Sequence, residues 1–226
     1  SPLREGTYSI SVGPNLTDLL GHPMDQDRDG VGGEAVQDEF SWTQTVDMIH
    51  PSVPTSLAFV QDTGSAGDTI TADTELEFTW SAARDANGIS GYQYRLDGGS
   101  WTAAAGLSVT AALGEGAHHF ELRAVDIAGN VGPAASLDVI VDITAPTAPA
   151  DLDLNGAILN WSAATDANGI WKYQYRLNGG AWTDSSGLSL ATGVADGVSA
   201  TVDVRALDRA GNAGPVATLT FTADYG

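Results

Sequence analysis

Apolar and polar residues alternate with a period of two along most of the chain, the mark of strands that keep one face in a core and the other in water. Leu76, Phe78 and Trp80 fall on one face of 76–80, with Glu77 and Thr79 on the other. Tyr92, Tyr94 and Leu96 share a face opposite Gln93 and Arg95, and Tyr173, Tyr175 and Leu177 repeat the pattern. HFELRAVD at 119–126 turns Phe120, Leu122 and Ala124 inward, and TVDVRALD at 201–208 does so with Val202, Val204 and Ala206. Asp97-Gly98-Gly99 and Asn178-Gly179-Gly180 are tight turn signals, since glycine supplies positive φ. Asp-x-Ala-Gly-Asn at 126–130 and 208–212 leads into last strands near 135–141 and 217–222. No stretch has helical periodicity, and the pattern predicts about seven short strands per domain.

The pattern occurs twice. DANGISGYQYRLDGGSW at 85–101 returns as DANGIWKYQYRLNGGAW at 166–182, displaced by 81 residues. Repetition on this scale means tandem domains, here 48–142 and 143–226. The first is longer by 14 residues before its first tryptophan, and the excess falls at 61–73, QDTGSAGDTITAD, read as an inserted loop or short hairpin. Proline-containing linkers follow Asp47 (DMIHPSVP) and Asp142 (DITAPTAP) and favour an extended, semi-rigid connection. Asp47, Asp142 and Asp224 close the three segments alike.

Residues 1–47 lie outside the repeat. They carry two candidate strands: Thr7 to Val12, with Tyr8, Ile10 and Val12 on one face, and Glu39 to Val46, with Phe40 and Trp42 facing a core. Two strands bury too little to stand alone, so this segment reads as the C-terminal part of another domain, completed from upstream or by another chain.

Composition narrows the functions. The formal charge is −20, with 29 Asp and Glu against 9 Lys and Arg. Such a surface repels nucleic acid and anionic membranes, and suits a cation-rich setting. No apolar run approaches a membrane span. The absence of cysteine excludes disulfides, thiolate zinc and cysteine nucleophiles.

The order W-x4-D-x2-G-I-x2-Y-x-Y-R-L-x-G-G-x-W, followed by R-A-x-D-x-A-G-N-x-G-P, resembles the bacterial extracellular immunoglobulin-like and fibronectin type III-like repeats. These occur in tandem in surface adhesins and large secreted proteins, including enzymes. The resemblance covers 48–226. Residues 6–47 resemble the tail of a related repeat with a D-x-D-x-D-G core. It implies an all-β chain of tandem β-sandwiches and a non-catalytic module on a bacterial surface or outside the cell. It implies no ligand. One departure is His118-His119, replaced by Ser199-Ala200 in the second copy, where fibronectin-type domains often carry a tyrosine.

The sharpest chemical signal is MDQDRDGVGGEAVQD at 24–38. Asp25, Asp27 and Asp29 at alternate positions, then Gly30, wrap carboxylates around one hard cation. Val31 offers its carbonyl. Val36 stands where an EF-hand has glutamate, so Glu34 or Asp38 closes the shell of an expected Ca²⁺ site. Weaker acidic groupings sit at domain edges: Asp47, Asp142, Asp224, Asp126 with Asn130, and Asp208 with Asn212. Two readings stand for them, junction Ca²⁺ sites and Asx turns. Asp85 and Asp166 read as turn formers. Trp80 and Trp161 alternate into the core. Trp171, which replaces Ser90, and Trp101 and Trp182 are the aromatic candidates for stacking on a sugar. No Ser–His–Asp set, phosphate loop or basic patch is present, and no enzyme is expected.

Three functions remain open: a Ca²⁺-stabilised rod of repeats whose partners are its neighbouring domains, a polysaccharide-binding accessory module, and a subunit that joins another copy of itself by strand addition at the open edge of 1–47.

Overall fold

The protein is described by a computed structural model covering residues 4–23, 25, 27–35, 39–185 and 187–225. Every regular element among them is a β-strand. The chain divides into two compact units, residues 1–53 with 83–91 and 124–133, and residues 54–82 with 92–123 and 134–226.

In the first unit β1 (Gly6–Val12) and β2 (Phe40–Val46) form an antiparallel ribbon that pairs Tyr8 with Gln44, Ile10 with Trp42 and Val12 with Phe40. The apolar faces that alternation assigns to the two strands therefore coincide, but they are not buried. Phe40 is 60% and Trp42 41% exposed, their rings 5.6 Å apart, because a two-stranded ribbon has no second layer of its own to bury them.

The middle domain holds β3 (Thr55–Phe59), β4 (Ile70–Thr71), β5 (Glu75–Ser81), β6 (Ile89–Leu96), β7 (Thr102–Ala104), β8 (Ser108–Ala112), β9 (Gly116–Asp126) and β10 (Ala135–Val141). They make two sheets, β3-β5-β8 and β4-β10-β9-β6-β7. The core follows the alternation. Leu76, Phe78, Phe120, Leu122, Val139 and Val141 are fully buried, and the Phe78 and Phe120 rings stack at 4.0 Å. Two-residue β4 lies in the inserted stretch and pairs parallel with β10, so the insertion adds a short edge strand.

The last domain repeats the plan with β11 (Ala150–Asn155), β12 (Ile158–Ser162), β13 (Ile170–Leu177), β14 (Thr183–Ser185), β15 (Ser189–Ala191), β16 (Ser199–Asp208) and β17 (Ala217–Thr222). Its sheets are β11-β12-β15 and β14-β13-β16-β17. Leu159, Trp161, Tyr173, Val202, Val204 and Ala206 form its core. Seven strands in two sheets match the expected sandwich.

The turns form for the reasons the sequence suggests. Asp97 and Asn178 take φ of 52° and 50°, followed by Gly98 and Gly179 at 71°. Each acidic or amide side chain then accepts a backbone N–H from the neighbouring strand, Asp97 from His119 (2.8 Å) and Asn178 from Thr201 (2.9 Å). These bonds pin the hairpin to β9 and β16. The two histidines point to separate carboxylates, His118 Nδ1 lying 2.9 Å from Asp97 and His119 Nδ1 2.5 Å from Asp138.

Candidate metal centres at the domain edges

Three groups of carboxylates among the described residues bring one oxygen each to within 4.8 Å of one another: Asp25, Asp27 and Asp29; Asp47, Asp85 and Asp126; and Asp142, Asp166 and Asp208. The first group is the expected acidic loop, with Arg28 and Gly30 at positive φ. Its carboxylates already accept backbone N–H groups: Asp25 from Arg28, Asp29 and Gly30, Asp27 from Asp29, and Asp29 from Val31. The N–H of Asp29 works to lower the pKa of Asp27. Partial desolvation and the neighbouring charges of Asp29 and Asp25 outweigh it, so that carboxyl is raised. All three are exposed. Glu34 is half-buried and stands outside the group, while Asp38 lies outside the described residues.

The other two groups are equivalent by repeat. Asp47 and Asp142 are 95 residues apart, Asp85 and Asp166 81, and Asp126 and Asp208 82. Each group takes one carboxylate from the residue that closes a preceding strand, one from a DANG turn and one from the end of the long strand β9 or β16. In the Asp142 group Asp208 Oδ1 and Oδ2 accept from the backbone and side-chain nitrogens of Asn212 (2.8 and 2.9 Å). Asn212 Nδ2 also donates to the Asp142 carbonyl (2.8 Å) and so ties the linker to the loop. Asp166 Oδ1 accepts from Asn168 N (2.7 Å). Asp142 Oδ1 accepts from Thr144 N (3.1 Å), but its Oδ2 is buried without a hydrogen-bond partner, on a residue that is 1% exposed. The Asp47 group repeats these contacts. Asn130 holds both oxygens of Asp126 at 2.8 Å and donates to the Asp47 carbonyl at 3.1 Å. Asp85 Oδ1 caps Asn87 N, and Asp47 Oδ2 is again buried and unpartnered.

Burial raises the pKa of Asp208 beyond what its Asn212 hydrogen bonds offset, and the charge of Asp142 adds to the rise. Burial opposes ionisation of Asp126 as well, but there the bonds from Asn130, Gly129 and Ala128 prevail and the carboxyl is lowered. A buried carboxylate oxygen without a donor, beside two further carboxylates, is costly unless a cation supplies the missing charge. The donor sets are oxygen only and lie on loops and strand ends, which fits Ca²⁺, whose coordination is flexible. The sequence marks Asp47, Asp142, Asp126 and Asp208 as weaker candidates. It gives Asp85 and Asp166 only as turn formers. They do cap turns, and they also complete the triads, a second role that only the 81-residue repeat of both could have signalled.

The aromatic candidates are placed separately. Trp101 has the guanidinium carbons of Arg123 and Arg95 at 3.9 and 4.6 Å from its ring, and Trp182 has those of Arg205 and Arg176 at 4.1 and 4.6 Å. Trp171 is 41% exposed, with the Lys172 ammonium 4.0 Å from its ring centre.

Residues 48–143 match the bacterial Ig-like domain family. The middle domain is a bacterial Ig-like domain. Its repeat-equivalent, 143–226, has the same two-sheet sandwich. Among curated relatives, exoglucanase B of Cellulomonas fimi is 32% identical over 189 residues, and exoglucanase A of the same organism 33% identical over 143. Those matches take in 75% and 56% of this chain but only 16% and 15% of the relatives, so the chain spans about one sixth of their length. Solved fibronectin(III)-like modules of Clostridium thermocellum CbhA align over 75% of this chain and 95% of theirs, at a TM-score of 0.47 and 13% identity.

Proposed function

We propose that this chain is a non-catalytic spacer in an extracellular bacterial protein, a tandem array of Ig-like domains stiffened by Ca²⁺ at its junctions. The observation that carries the reading is the recurrence, in repeat register, of a carboxylate triad with one buried, donorless oxygen. Each triad joins the end of one segment to two loops of the next domain. A cation there neutralises mutual repulsion and holds the proline linker, Met48–Pro51 or Ile143–Pro146, against the Asn130 or Asn212 loop. The shared stretch in two exoglucanases supports placement beside a polysaccharide hydrolase, with the array setting the distance between larger parts. The net charge of −20 is consistent with a medium that supplies divalent cations. The acidic loop at Asp25–Val31 is a further Ca²⁺ candidate on its sequence spacing.

Calorimetric titration of the full chain with Ca²⁺ tests this. Asp47→Asn and Asp142→Asn should each remove one bound ion. Failure of the unaltered chain to bind Ca²⁺, or full stoichiometry in both variants, would refute the role of the triads.

A further inference from the structure

The two junction triads have different surroundings, and the difference traces to the inserted stretch 61–73. Thr71, fully buried on β4, accepts the Asp142 N–H at its carbonyl (2.8 Å). From the same stretch, Thr63 Oγ1 donates to the Ala210 carbonyl (2.7 Å), and Ser65 N donates to the Arg209 carbonyl (2.9 Å). Arg209 Nε donates back to Asp68 Oδ2 (3.0 Å), on a side chain only 10% exposed. Thr63 and Thr71 are themselves joined, Oγ1 to Oγ1, at 3.1 Å. Gly64 fits flat against 209–211: a Cβ there would lie 2.2 Å from the Arg209 carbonyl oxygen, and its φ is +69°. The insertion thus grips two of the three ligand-bearing segments, the strand end before Asp142 and the loop that follows Asp208.

The first triad has an open cleft in the corresponding place. Ile127 and Ala128 are the counterparts of Arg209 and Ala210. With Gln44, Thr45, Asp47 and Asn87 they line a cavity of about 380 Å³, and Ile127 is 70% exposed. Asp47 is half-buried where Asp142 is 1% exposed.

We infer that the insertion is a clasp that makes Asp142, Asp166 and Asp208 a tight, slowly exchanging Ca²⁺ site, and leaves Asp47, Asp85 and Asp126 a weaker one that empties first. This rests on the reading of both triads as cation sites. The physical basis is preorganisation. Ligands already held in place lose less freedom on binding, and release requires segments to part that the clasp ties together. Thr63, Gly64, Asp68 and Arg209 are positioning residues and touch no ion.

The test is stopped-flow release from the Ca²⁺-loaded full chain into excess fluorescent chelator. Two junction phases are expected. Asp142→Asn should abolish the slow one and Asp47→Asn the faster one. Whatever persists in the double variant belongs to the loop at Asp25–Asp29. Asp68→Asn and Arg209→Ile, the latter copying the first junction, should accelerate the slow phase about tenfold and leave the faster phase unmoved. A general loss of stability would not produce that selectivity. Gly64→Ala, with φ and space both against it, should do so more strongly, provided its far-UV circular dichroism matches the unaltered chain. Equal rates at the two junctions, or a slow phase unchanged in Asp68→Asn and Arg209→Ile, would overturn the clasp and leave the spacer reading intact. Absence of any Ca²⁺-dependent phase would overturn both.

Discussion

Asp142→Asn should change the sign of its effect on stability with Ca²⁺. In the second triad three carboxylates bring oxygens to within 4.8 Å of one another. At that separation two unit charges repel by about 3.5 kcal/mol in an effective dielectric of about 20. Replacing Asp142 removes two such pairs, roughly 7 kcal/mol between fully charged, unscreened groups at that dielectric. Protonation of Asp208, whose pKa is already raised by burial and by Asp142, and screening by salt reduce the relief. A gain of about 1–2 kcal/mol is expected in chelator, which is roughly 4–15 °C in the melting temperature of a domain this size. With Ca²⁺ at about 100 times its dissociation constant, the intact site gains about 2.7 kcal/mol that the variant forgoes. The unaltered chain should therefore melt below Asp142→Asn in EDTA and above it in millimolar Ca²⁺. Scanning calorimetry of both proteins in both buffers reads this directly. A variant that melts lower under both conditions would show that Asp142 acts as an ordinary linker-capping carboxylate through Thr144, and the cation argument at that junction would fail.

Other outcomes can be checked alongside. Phe78→Ala removes a fully buried ring stacked at 4.0 Å on Phe120, and should cost about 3–5 kcal/mol in urea unfolding of the middle domain. His118 has acceptors on both ring nitrogens, Asp97 Oδ2 and the Gly114 carbonyl, each at 2.9 Å, so the imidazolium satisfies both. Burial presses its pKa down, but those bonds and the Asp97 charge outweigh it and raise it. Its contribution is then complete below the unfolded value of about 6.5 and fades as pH rises through the higher folded value. The middle domain should lose melting temperature between about pH 6 and 8 more steeply than His118→Gln does. Arg205→Ala removes a guanidinium 4.1 Å from the Trp182 ring and two bonds to Gln174, and should cost about 1 kcal/mol. Trp171→Ala, at an exposed site, should stay within about 0.5 kcal/mol in the same unfolding assay.

Alternation makes the sandwich legible. Leu76, Phe78, Phe120 and Leu122, and Val202 and Val204 in the last domain, are all buried where a period of two places them. The paired Gly turns are legible for an equally local reason, since Asp97 and Asn178 need left-handed backbone and their side chains tolerate it. The failures are non-local. Phe40 and Trp42 alternate as core residues do, yet burial depends on an opposing layer, which local pattern cannot supply. Asp85 and Asp166 look like turn residues because they are turn residues, and their meeting with Asp126 and Asp208 depends on sheet order. The insertion 61–73 reads as a polar loop or short hairpin, and neither composition nor spacing shows that Thr63 and Ser65 reach carbonyls roughly 145 positions onward.

Neither domain at a junction owns a complete donor set. Asp47 and Asp142 arrive from the strand behind, while Asp85 with Asp126, and Asp166 with Asp208, come from the domain ahead. A recombination event that duplicates or deletes whole modules at the linker therefore regenerates a full triad at every new seam. One that cuts inside a module leaves carboxylates without their complement. If the triads hold Ca²⁺ as proposed, copies can be gained or lost at the linkers without any new ligand having to evolve.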